Sequence, residues 1–243
     1  MKMMILIPAF NESGIIGRAV KQIHAVEIER PYEILVIDDG SYDDTAEEAR
    51  RAGARTITLT QNLGYGHALR AGYQVAHEDG FEVVVQMDGD GQHAPESIPE
   101  LIRPVLNGEY DLVIGSRTLS DTPYSMPLAR RVGQRFFSWV LQLMTGLKIQ
   151  DPTSGFQVLG PKALQLVMSD DFPGDYPDTD VLLYLHFHGT RIKEAPAVFR
   201  VNERGTSMHN GVIGPLYYLY KMLFSMVMVY MKYHSVKRTG ETS

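Results

Sequence analysis

Val85-Gln86-Met87-Asp88-Gly89-Asp90-Gly91-Gln92-His93 places two carboxylates one residue apart where an apolar strand runs out into glycines. An extended segment points alternate side chains the same way, so Asp88 and Asp90 can converge on one hard cation. Mg2+ or Mn2+ held by only one or two carboxylates keeps room for substrate phosphates. An EF-hand does not fit, because Pro99 stands where its bidentate glutamate would be. A polar turn after a buried strand would carry the same two aspartates, so the surrounding sequence has to decide between the two.

Outward from this stretch, short apolar runs alternate with helical patterns. Strands are expected at Met3–Pro8, Glu33–Ile37, Thr56–Leu59, Glu82–Met87 and Tyr110–Ile114. Between them, Ile15, Ile16, Ala19, Val20 and Ile23 recur at helical spacing, and Thr45–Ala52, Gly66–His77 and Ser97–Leu106 read as further helices. Such alternation indicates βαβ units, hence an α/β fold with a mainly parallel sheet covered on both faces. Ligands of these sheets bind beyond the carboxyl ends of the strands. The polar motifs fall there: Ala9–Ser13, Asp38–Thr45, Asp88–His93 and Gly115–Arg117.

Composition narrows the function classes. With 243 residues, 44% hydrophobic and 21% charged, the chain can bury a real core. A net charge of -6 argues against a nucleic-acid partner, which favours a basic surface. The absence of cysteine excludes disulfides, thiol catalysis and zinc–thiolate sites. No secretory pattern precedes the first strand, so a cytoplasmic protein is expected.

After Leu119 the pattern changes. Pro123 and Pro127 mark a loop, and a helix follows from about Ala129 to Met144, with Val132, Phe136, Val140, Leu143 and Met144 marking one face and Arg131 and Arg135 another. Asp151–Asp178 is loop-rich, Val181–Phe187 is a short helix or strand, and Ala195–Val201 reads as a strand. From Val212 to Met231 the chain is apolar and rich in tyrosine and methionine, with Lys232, His234, Lys237 and Arg238 beyond. This length is at the lower limit for a membrane span, and Tyr217, Tyr218, Tyr220 and Lys221 suit a bilayer interface better than its centre. The expected organisation is a catalytic domain over residues 1–211 and a C-terminal amphipathic helix over 212–243. That helix would dock on a membrane surface or a small membrane protein, peripheral at the cytoplasmic face; packing on the protein's own core is the plainer alternative.

The first strand leads into Ile7-Pro8-Ala9-Phe10-Asn11-Glu12 without GxGxxG, which argues against a dinucleotide cofactor. Asp38 and Asp39, being adjacent, need something positive or protic and suit a nucleotide base or ribose. Asp43, Asp44 and Thr45 suit a helix cap.

IPAFNE, DDGSxDDT, NLGYGHALRAG (Asn62–Gly72), DGDGQH and GSR (Gly115–Arg117) stand in the order found in family 2 glycosyltransferases. Over about Met3 to Ser207 the chain resembles that family, and most closely its dolichol-phosphate mannose synthase and polyprenyl-phosphate glycosyltransferase branch. The resemblance implies a GT-A fold, a nucleotide-sugar donor and inversion at the anomeric carbon. Matched by position, Pro8, Ala9, Asn11, Glu12 and Asp39 would line the nucleotide pocket. Asp88, Asp90 and Gln92 would surround Mg2+ or Mn2+ and the diphosphate, and Arg117 would contact a phosphate. Asp151-Pro152-Thr153-Ser154-Gly155-Phe156 resembles that branch's turn, and Arg204-Gly205-Thr206-Ser207 its acceptor loop.

The nucleophile sets the remaining requirement. A polyprenyl phosphate is already anionic and needs cations, for which Arg117, Arg131, Arg135 and Arg204 are suited. A glycan hydroxyl would need a base, for which Asp180 is the candidate; a GT-A-like scaffold without turnover is the non-enzymatic alternative. His93 reads as a packing or loop histidine rather than a ligand.

Overall fold

The computed structural model describes residues 1–120, 128–169, 172–173, 179–200 and 213–239. Seven strands form one sheet: β1 (Met3–Ala9), β2 (Tyr32–Asp38), β3 (Arg55–Thr58), β4 (Val83–Gln86), β5 (Leu112–Ser116), β6 (Gln157–Leu159) and β7 (Ile192–Pro196). Their order is β3-β2-β1-β4-β6-β5-β7. All neighbouring pairs are parallel except those of β6, which runs antiparallel to both β4 and β5. The chain winds from β1 outward through β2 to β3, then returns to place β4 on the other side of β1. That reversal opens a crevice beyond the carboxyl ends of β1 and β4. Ala9–Ser13 and Asp88–His93 leave the sheet there.

Alternation along the strands divides the core. Met4 and Leu6 of β1 face one layer and Met3, Ile5 and Ile7 the other. The second layer is closed by α1 (Ile16–His24), α2 (Thr45–Arg51) and α4 (Ile98–Leu106). The first is closed by α3 (Tyr65–Glu78), α5 (Leu128–Thr145), α6 (Pro161–Val167), α7 (Thr179–Phe187) and α8 (Ile213–Thr239). The doubly covered, mainly parallel sheet expected from the βα alternation is present.

Three features depart from the sequence reading, and a fourth, Val181–Phe187, which it left open between helix and strand, is settled as helix. β6 and α6 lie inside the stretch expected to be loop-rich; three residues are too few to display a period of two. The Val181–Phe187 run is helical, and α7 is buried from Thr179 through Leu185, so no amphipathic period marks it. The last strand is displaced, Ile192–Pro196 in place of Ala195–Val201, although beyond it Phe199 still bridges His93. In α5 the buried positions are Gln134, Phe137 and Leu141, while Val132, Phe136 and Leu143 are exposed.

The C-terminal segment contributes Met222 and Met226 to the core, and the Ser225 hydroxyl donates to Asp180 on α7. Its other face is also apolar: Tyr220, Phe224, Val227, Met228 and Met231 are exposed. The helix is therefore apolar on both sides rather than amphipathic. Among the described residues no helix is long and apolar enough to cross a membrane.

Gly72 shows how tightly α3 is laid on β1. A Cβ there would stand 2.9 Å from Leu6 Cγ, in a fully buried layer. Gly72→Ala is expected to lower stability by about 1–3 kcal/mol through overpacking, measured by urea unfolding; unchanged stability would show that this contact yields freely.

Candidate active site

The crevice is built from three loops tied to one another. Asn11, the only described non-glycine residue with positive φ (55°), turns the chain off β1. Its amide donates to Ser41 Oγ at 2.8 Å, and its side-chain oxygen accepts the Tyr42 amide at 2.9 Å. The Glu12 amide donates to Thr45 Oγ1 at 2.8 Å, and the Ser13 amide to Asp43 Oδ2 at 3.1 Å. Asp43 Oδ1 also accepts the Thr45 amide, but Asp44 at the N-cap makes no side-chain capping bond. The cap expected of Asp43, Asp44 and Thr45 is thus made by Asp43 alone, and Thr45 reaches across to the β1 loop.

Asp38 and Asp39 are both buried, and their protic partners lie within the chain. Asp38 Oδ1 accepts the Ser41 amide at 3.1 Å. Asp39 takes the Leu63 and Gly64 amides, one on each oxygen, both at 2.8 Å, while its own amide donates to Ala9. Adjacent buried carboxylates are tolerated because each is met by N–H groups. Pro8 and Ala9 end β1 beneath this loop, so the residues matched to a nucleotide pocket do converge.

The turn that Asp39 holds delivers Tyr65 to the other end of the crevice. Tyr65 Oη donates to Asp88 Oδ1 at 2.7 Å and accepts from Gln86 Nε2 at 3.1 Å; Gln86 in turn accepts from the Tyr73 hydroxyl. Burial first, then the Asp88 charge, pushes the Tyr65 pKa well above its ordinary value, so it stays a donor. Behind Asp88 lies Gly155, where a Cβ would sit 3.0 Å from both Asp88 Oδ1 and Tyr65 Oη. Gly89 packs as closely on the end of β1, a Cβ there falling 3.0 Å from the Pro8 carbonyl.

His93 is buried, stacked on Phe156 at 4.9 Å, with Phe199 edge-on at 5.0 Å. Its Nδ1 accepts the Asp88 amide at 3.0 Å, which makes the ring a neutral Nε2–H tautomer, and Nε2 faces Asp88 Oδ2 at 3.4 Å. Gln92, expected among the metal ligands, donates from both its amide N–H and its side chain to Asp90. It braces that carboxylate. Asp90's pKa is raised, first by burial and then by the charge of Asp88. Two neighbouring carboxylates in a half-closed site want a cation between them.

The donor set suits Mg2+ or Mn2+. Asp88 and Asp90 offer hard oxygens, and no group of three or more His, Cys, Asp or Glu that could hold a metal occurs among the described residues. Two protein carboxylates leave the rest of a coordination shell to phosphate oxygens and water.

The remaining sites are dispersed. Arg117 is buried against Asp151: its amide and Nε both donate to Asp151 Oδ2, at 3.1 and 2.7 Å, and its guanidinium lies 4.6 Å from the Phe199 ring centre. Glu194 holds the same turn through the Gln150 and Asp151 amides. Asp180 sits at the α7–α8 contact, 4% exposed, accepting from the Val181 amide and Ser225. Arg131 and Arg135 are exposed on α5, with no ion pair among the described residues. Arg204 and Ser207 lie outside the described residues. Tyr65, Asp151 and Gly155 stood inside motifs that carry the family resemblance but were given no individual role, and their place in those motifs was the available signal.

The family model for glycosyl transferase family 2 matches residues 4–164. This chain belongs to glycosyl transferase family 2. It is a glycosyltransferase with the GT-A fold expected of that family. The chain is 30% identical over 226 residues to an uncharacterized protein of Methanocaldococcus jannaschii, covering 92% of this chain and 90% of that one. It is also 30% identical to the undecaprenyl-phosphate mannosyltransferase of Micrococcus luteus, covering 88% and 90%. Among solved structures, glucosyl-3-phosphoglycerate synthase of Mycobacterium tuberculosis with Mn2+, UDP-glucose and phosphoglyceric acid superposes with a TM-score of 0.69 at 22% identity, over 94% of this chain and 79% of that one.

Two outcomes test the site. Tyr65→Phe keeps the ring but frees Asp88 Oδ1, and should weaken Mn2+ binding about tenfold in an electron paramagnetic resonance titration; unchanged affinity would remove Tyr65 from the site. Because Asp90's pKa is raised, the folded metal-free chain holds a proton there more tightly than the unfolded chain, and stability falls as pH rises through that range. Asp90→Asn should therefore unfold no earlier than wild type without metal, yet lose the thermal stabilisation that Mn2+ gives at neutral pH. A variant that Mn2+ still stabilises fully would contradict the assignment.

Proposed function

We propose that this enzyme transfers a sugar, with inversion, from a UDP- or GDP-sugar to a polyprenyl phosphate at the cytoplasmic face of a membrane. The observation that carries the reading is the two-carboxylate cluster in the β1/β4 crevice, incomplete without phosphate oxygens. The undecaprenyl-phosphate mannosyltransferase of M. luteus supports the acceptor class.

In this reading the nucleotide lies along Pro8–Glu12 and the Asp38–Asp39 loop, and Asp88 and Asp90 would hold Mg2+ or Mn2+ beside the diphosphate. The bound cation would neutralise charge on the departing nucleoside diphosphate. An oxygen of the acceptor phosphate attacks the anomeric carbon from the face opposite its bond to the diphosphate. The new carbon–oxygen bond forms as the bond to the diphosphate breaks, and the nucleoside diphosphate leaves with the electron pair. An anionic nucleophile carries no proton to remove, so no general base is needed. That leaves Asp180 to its contact with Ser225. Arg131 and Arg135 supply cations for the acceptor phosphate. Arg117, already committed to Asp151, shapes the turn that carries Gly155.

With a panel of radiolabelled nucleotide sugars, label should enter the organic phase only when polyprenyl phosphate is present. Label found solely in water-soluble glycan would defeat the reading. Arg131→Ala should raise the acceptor KM about tenfold, the worth of one charge-assisted hydrogen bond, and leave the donor KM unchanged.

A further inference from the structure

We infer that α5 and α8 together form a surface that lies in the interface of an anionic lipid bilayer, with α5 an anchor in its own right. The inference deepens the lipid-acceptor reading above and rests on it for its purpose, but its observations are separate. Leu128 (67% exposed), Val132 (59%), Phe136 (36%), Trp139 (59%) and Leu143 (71%) follow one another at four, four, three and four residues. This spacing makes one stripe about 22 Å long, opposite the buried Gln134, Phe137 and Leu141. A helix on a water-facing surface is normally polar there.

On α8 the exposed Tyr220, Phe224, Val227, Met228 and Met231 form a second stripe, opposite the buried Met222 and Met226. Both helices pack on α7 and close the same core layer, so both stripes lie on one side of the sheet. Isolated exposed apolar residues need no explanation, whereas two aligned rows do.

Charge selects the occupant. The chain carries a net charge of -6, yet α5 has three arginines and no acidic residue, and α8 has three lysines, one arginine and no acidic residue. Arg131 and Arg135 are exposed along one edge of the α5 stripe, and Lys232 is exposed beside that of α8. Apolar and aromatic side chains edged by cations match a bilayer interface bearing anionic headgroups. A second copy would set the same basic edges against each other, which opposes association. The arrangement also holds Arg131 and Arg135 at headgroup depth, where the phosphate of a lipid acceptor resides.

Trp139 is the only tryptophan of the chain and lies within the α5 stripe, so its emission reports insertion directly. With the full chain, vesicles of phosphatidylcholine mixed with phosphatidylglycerol should shift that emission to the blue, and brominated lipid should quench it. Phosphatidylcholine alone should do so far less. Val132→Asp with Leu143→Asp should lower vesicle partitioning about tenfold or more. The same variant should retain circular dichroism, thermal unfolding and transfer to a short, water-soluble polyprenyl phosphate. Phe224→Asp with Met228→Asp tests α8 in the same way.

Unchanged Trp139 emission with either vesicle overturns the proposal. So does wild-type partitioning of the α5 variant, or a blue shift without lipid that tracks dimer formation in sedimentation. If Trp139 inserts but no donor yields labelled lipid, the surface stands and the acceptor reading fails.

Discussion

The carboxylate of Asp39 fixes the turn on which the crevice depends. Buried and unable to reach water, it binds the Leu63 and Gly64 amides with separate oxygens. Once those amides are held, α3 must start at Tyr65, and its hydroxyl falls on Asp88. One short turn thereby links the loop matched to nucleotide binding with the carboxylates matched to the metal. An unpaired buried carboxylate would be costly, so disturbing this turn disturbs both ends together.

A second constraint sits on the opposite wall. The antiparallel β6 is inserted between β4 and β5, and the turn before it carries Asp151, Ser154 and Gly155. Arg117 and Glu194 hold that turn, while Ser154 Oγ donates to the Gly115 carbonyl at 2.6 Å. Gly155 then backs Asp88 so closely that a Cβ there would stand 3.0 Å from Asp88 Oδ1. Arg117 is thus tied to that turn through Asp151. A buried pair of this kind is destabilising to break, by about 3–5 kcal/mol, so loss of activity in an Arg117 variant would not by itself identify a phosphate contact.

Most of the sheet was legible because its strands are long apolar runs separated by helices with a clear period. Asp88 and Asp90 were legible for the same reason: they stand where such a run ends. β6 was not, since three buried residues carry no period. The α5 face was misleading because apolar spacing announces a stripe without saying which way it points; Val132, Phe136 and Leu143 mark the outside of the helix. α8 misled in the converse way, being apolar on its packed face and its free face alike.

By itself the sequence determined the α/β class, the family and the position of the paired aspartates, because periodicity and motif order are local properties. Only the tertiary structure decided which polar groups satisfy one another. It turned Gln92 onto Asp90, set Asp180 against Ser225, committed Arg117 to Asp151 and brought Tyr65 to Asp88. Those pairings join residues up to 45 positions apart, and hydrogen-bond partners at such separations are chosen by the packing of layers rather than by spacing along the chain.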